Sequence, residues 1–153
     1  MNVVQQLPQP QNLNIMDLSI FPDIMNPSKV ATEGLTLETI ASKLTYFQEQ
    51  IHLLHWQTNM YSEHKALGGL YEYIQDFKDE LIEKLMGYTG KKPSVYKLES
   101  LSASISNVVV DELIYFAKSL KEYGEMNCYQ DICNLSDSLS GEAAKVKYLL
   151  TLT

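Results

Sequence analysis

Between residues 36 and 57 the apolar positions Leu37, Ile40, Leu44, Phe47, Ile51 and Leu54 recur at spacings of three and four, which puts them on one face of an α-helix. Thr36, just ahead, is a good N-cap. After a break around Thr58 to Ser62, the residues Leu67, Leu70, Ile74, Phe77, Leu81 and Leu85 repeat the stripe, and Gly87 marks its expected end. So short a link predicts that the two helices are antiparallel neighbours. Residues 88–103 include Gly90, Lys91, Lys92 and Pro93. They are too many for a tight turn and read as a crossover with room for a short helix. A third stripe, Val109, Leu113, Phe116 and Leu120, covers about Ser104 to Tyr123, with Gly124 as its expected stop. A fourth, from about Tyr129 to Leu150, carries Ile132, Leu135, Leu139, Val146 and Leu149. No stretch alternates with the period of a strand, and no segment repeats another. The expected fold is all-α: an antiparallel four-helix bundle with a long connection between its second and third helices.

Residues 1–35 break the pattern. They are rich in Gln and Asn, hold Pro8, Pro10, Pro22 and Pro27, and show no helical period, so they read as an arm ahead of a bundle spanning 36–153. Ile15, Met16, Leu18, Ile20, Phe21, Ile24 and Met25 form an apolar stretch within the arm. Leaving it in water is costly, so it is expected to dock on its own bundle, a neighbouring subunit or another protein. Lys29 is the arm's one basic residue, and the net charge of the whole chain is -7. Phosphate binding depends on concentrated Lys and Arg, so nucleic acid is not an expected partner and cations are the better guests. The apolar runs are too short to span a bilayer, and the first ten residues lack the basic and apolar regions of a signal peptide. Cys128 and Cys133 lie five apart at the approach to a helix, poorly placed to pair. A reduced, cytoplasmic setting is expected, with no membrane partner.

All three histidines, His52, His55 and His64, fall within thirteen consecutive residues. His52 and His55 are neighbours on one side of the first helix, and the short link returns His64 beside them. Imidazoles meeting at one junction suit a transition metal. On the second helix His64, Glu72, Asp79 and Glu83 share a flank, with Asp79 and Glu83 one turn apart. His64 and Asp79 are separated by about 22 Å of helix, so one chain cannot bring both to one ion. Two second helices packed antiparallel about a two-fold axis would place the histidine end of one copy against Asp79 and Glu83 of the other.

The run from His55-Trp56 through His64 to Asp79-x-x-x-Glu83 resembles the ferroxidase pattern of the Dps proteins, the mini-ferritins of the ferritin-like superfamily. The resemblance covers roughly residues 37–87, and the block is also similar to one in small proteins encoded by tailed phages. It implies a ferritin-like bundle, a homo-oligomer joined through its second helices, iron as the bound metal, and Fe(II) oxidation by peroxide or oxygen. Three features depart from that pattern. The link between His55 and His64 is short, the arm is not basic, and Gly68 stands four residues after His64, where the family places an aspartate. Glu72 or His52 are the substitutes within reach. An aspartate introduced at 68 would lie one turn after His64 on the same flank.

Other readings stand beside this one. Glu49-x-x-His52 supplies one half of a di-iron motif inside a single bundle, but the third and fourth helices contain no histidine for the other half. Asp76 and Glu80 point away from the core and read as a solvated face. The rival function is a non-catalytic structural or assembly protein of a phage particle, placed in the virion, which keeps the bundle and uses the arm to clasp neighbours.

Overall fold

The structure is a computed structural model and describes residues 34–152. The four expected helices are present: α1 (Leu37–Gln57), α2 (Tyr61–Thr89), α3 (Ser106–Met126) and α4 (Gln130–Leu149), followed by a 3₁₀ turn at Leu150–Leu152. There is no strand among the described residues. Residues 1–33, including the apolar stretch 15–25, lie outside them.

Local chemistry sets the ends. Thr36 Oγ1 accepts the Thr39 N–H at 3.2 Å while Thr39 Oγ1 accepts the Thr36 N–H at 2.7 Å, a reciprocal cap that fixes the start of α1. The second helix runs past Gly87 to Thr89, because the residue that takes the left-handed conformation is Gly90, with φ of 64°. Gly124 does not end α3 either. It is buried inside the helix, and a Cβ there would stand 2.8 Å from Cys133 Sγ, so its role is to let α4 approach. The chain reverses instead at Cys128, whose φ is 59°. Cys128 is exposed and Cys133 buried, and both are free thiols.

The stripes build the core. Ile40, Leu44, Ile51, Leu67, Leu70, Ile74, Leu81, Leu113, Leu120, Ile132 and Leu139 are fully buried, each contributing about 1.5–3 kcal/mol relative to exposure. Leu37, Leu135 and Leu149 pack against that core while remaining half-buried. The most extensive packing joins α1 to α2 and α3 to α4; α2 meets α4 less, and α1 meets α3 less still.

Residues 91–105 contain no helix. They lie along α1, which supplies partners for their backbone. Glu38 accepts both the N–H and the hydroxyl of Ser94, Ser42 donates to the Lys97 carbonyl at 2.7 Å, and Lys43 pairs with Glu99 at 2.8 Å. Gln50, wholly buried, donates to the Ser102 carbonyl at 3.0 Å and accepts the Ser102 N–H at 2.9 Å. An irregular segment packed on a helix must satisfy its own peptide groups, and these polar residues of α1 do so. No helix among the described residues is long and apolar enough to cross a membrane.

Candidate functional site

The link between α1 and α2 consists of residues 58–60 alone, so the last turn of one helix lies beside the first turn of the next. Across that junction His55 and His64 make a reciprocal pair. His55 Nδ1 lies 2.8 Å from the His64 carbonyl, His64 Nδ1 lies 2.9 Å from the His55 carbonyl, and the rings stack with centroids 3.8 Å apart and planes 21° from parallel. A carbonyl oxygen only accepts, so each Nδ1 donates its hydrogen, and a neutral ring then carries its lone pair on Nε2. The His55 carbonyl belongs to the last turn of α1, where carbonyls have no partner within the helix, and His64 satisfies it.

The third histidine extends the group. His52 stacks on Tyr71 with centroids 4.1 Å apart and lies 4.0 Å from Trp56, while Tyr71 meets His55 edge-on at 5.4 Å. All three histidines are half-buried, whereas Trp56 is 66% exposed. The structure thus assembles His52, His55 and His64 with Tyr71 into one cluster of rings.

Gly68 is part of that cluster. A Cβ at this position would stand 3.1 Å from His55 Cε1 and 3.2 Å from His55 Nδ1. The ring is held by the His64 carbonyl on one edge and the His64 imidazole on one face, so it has little freedom to retreat. The absent side chain therefore provides the seat for His55. An aspartate at 68, which helical register places one turn after His64, does not fit unless that ring gives way. Because α2 starts at Tyr61, Gly68 and Gly69 both lie inside the helix. A Cβ at Gly69 meets nothing.

The carboxylates remain apart from the histidines. Glu72, Asp79 and Glu83 are exposed on α2, as is Asp76, and Glu80 pairs with Lys84 at 3.4 Å. Among the described residues no group of three or more His, Cys, Asp or Glu is placed to hold a metal ion. Within one chain, then, the three histidines lie together and the exposed carboxylates of α2 do not join them.

Glu63 was not singled out by its sequence context, yet it fastens the junction. It accepts from Thr58 Oγ1 at 2.6 Å and from Ser106 Oγ, and Thr58 Oγ1 in turn accepts the Met60 N–H at 3.1 Å. The available signal was an acid in the first turn of a helix, five residues after a threonine. At the other end of α2, the Tyr88 hydroxyl donates to Asp131 and the Tyr88 ring stacks on Tyr129 at 4.0 Å. That hydrogen bond pushes the Tyr88 phenol up and holds the Asp131 carboxyl below its ordinary range.

Comparison with known proteins places the junction inside a family region. A family of unknown function, DUF5856, matches residues 55–150. An uncharacterized 14.6 kDa protein from the mobD-ri intergenic region of Enterobacteria phage T4 is 30% identical over 139 residues, covering 90% of this chain and 99% of the phage protein. With 90% of 153 residues covered, the likeness necessarily extends into residues 1–33. No solved structure matches.

Proposed function

The chain belongs to the DUF5856 family, and we propose that it is a ferritin-like, antiparallel bundle of the Dps kind that binds iron between copies of itself. The order of partners supports the topology. Along α1 the numbers rise from Gln48 through His52 to His55 as their partners on α2 fall from Gln75 through Tyr71 to His64. Lys84 and Tyr88 of α2 meet Asp131 of α4 and Tyr129 just ahead of it, and Lys121 of α3 meets Asp137 of α4. Glu63 and Ser106 join the starts of α2 and α3, so the crossover carries the chain the length of α1 before α3 begins.

The observation that carries the functional reading is the pair of Nδ1–H donations at His55 and His64. A metal-binding histidine commonly donates its other N–H to a carbonyl, which fixes the tautomer and leaves Nε2 for the ion. These two residues fit that role, and Asp79 and Glu83 of a second copy supply the acidic half. Iron is then the cargo, and the substrate of any oxidation. Two Fe(II) each give one electron to a peroxide, which takes up two protons to become water. Only two carboxylates are offered per site, and His52 is occupied by Tyr71 and Trp56, so oxidation is expected to be slow. The setting is cytoplasmic.

A second reading has its own support. The His55 seat at Gly68 and the stacked rings also serve as simple packing, and the phage T4 relative suits a structural component of a phage particle, placed in the virion. Untagged protein loaded with Fe(II) without oxygen, then desalted and assayed for metal, separates the two. Retained iron that is lost in both His55→Ala and His64→Ala supports the first reading. Wild-type protein that keeps no more iron than either variant favours the second.

A further inference from the structure

Beside the thin contact of α1 with α3 lies a groove of about 710 Å³, floored by Leu35, Tyr46, Phe47, Tyr115 and Phe116. Phe47 and Phe116 touch at its base, with ring centroids 5.7 Å apart, while Tyr115 is left 40% exposed. This is apolar, largely aromatic surface on a face that the other helices do not cover. We propose that the groove is the docking site for the chain's own apolar segment, residues 15–25.

Three observations select that occupant. The described chain begins at residue 34, and Leu35, one residue on, already lines the groove. The preceding segment therefore starts at the groove's mouth. Between Leu35, just ahead of α1, and Phe47 the groove follows about 15 Å of helix, and residues 26–34 span at most about 30 Å when extended, so the apolar segment can reach its whole length. Composition agrees. The segment offers Ile15, Leu18, Ile20, Phe21 and Ile24 to an aromatic floor. The likeness to the phage T4 protein also reaches into this part of the chain. A tether this short holds its segment at an effective concentration of order mM, which favours docking within one chain over capture by another.

Engineered disulfides in the full chain test the placement. With Cys128→Ser as background, Phe21→Cys is combined with Tyr115→Cys in the groove or with Asp76→Cys on the exposed side of α2. Mild oxidation is expected to give a disulfide within single chains for the groove pair, at least about tenfold faster than for the control pair. Links formed only between chains would assign the groove to another copy's arm and overturn the proposal. So would equal rates for the two pairs. Amide hydrogen exchange of the unlinked protein gives an independent reading. Ile20→Asp combined with Ile24→Asp should speed exchange in residues 43–47 and 111–119 by about tenfold, and unchanged exchange there would equally contradict docking.

Discussion

At Gly68, replacement by alanine sets a methyl group 3.1 Å from His55 Cε1. Because the His64 carbonyl and ring fix the imidazole, either the ring or α2 must shift, at an expected cost of about 1–3 kcal/mol. A helix interior otherwise prefers alanine to glycine by about 1 kcal/mol, so the sign of the effect is diagnostic. Denaturant unfolding should show Gly68→Ala destabilising in the wild-type background and neutral or stabilising when combined with His55→Ala. Equal effects in both backgrounds would remove the steric account. The histidine cluster was legible in the sequence, because helical spacing and a short link alone bring His52, His55 and His64 to one junction. The role of Gly68 was not. It depends on which way one imidazole turns across two helices, and spacing along either helix says nothing about that. Glu63 was hidden for a similar reason, since one of its partners, Ser106, is forty-three residues away.

Among the elements, the crossover shows most clearly where pattern reading stops. The four apolar stripes were legible because burial imposes the helical period on the sequence. Residues 91–105 have no period to read, since their backbone is satisfied by α1 instead of by itself. Gln50 belongs to this arrangement: a polar residue beside Phe47 and Ile51 reads as the flank of a stripe, yet it is wholly buried as the partner of Ser102. Gln50→Ala removes both bonds and leaves the Ser102 N–H and carbonyl without that partner. A loss of about 1–3 kcal/mol is expected, with faster proteolysis inside 91–105, and an unchanged cleavage rate would show the clamp to be dispensable. Glu38 gives the same segment a pH response. The Ser94 N–H, with smaller contributions from Glu38's own N–H and the Ser94 hydroxyl, lowers this carboxyl from 4.5 to about 2. A carboxyl depressed in the folded state stabilises it above the unfolded value, and that contribution fades as pH falls from 4.5 through 2. Amide exchange at Ser94, corrected for intrinsic rates, should therefore lose protection over that interval in the wild type. In Glu38→Gln it should be nearly flat.

For the whole molecule, the decisive geometry is the length of α2, twenty-nine residues from Tyr61 to Thr89, with the histidines at one end and Asp79 and Glu83 about 22 Å or more from His64. Each copy therefore holds both halves of the proposed site, but not where they can meet. The most direct test uses that separation. His64→Ala and Asp79→Ala are purified separately, each expected to bind little iron, then unfolded together and refolded as a mixture. If copies pair at random about a two-fold axis, half of the pairs are mixed and each mixed pair regains one intact site of its two, so iron binding should return to about a quarter of the wild-type level. Mixtures that bind no more iron than the separate variants, while forming mixed pairs by mass, would contradict a site shared between copies.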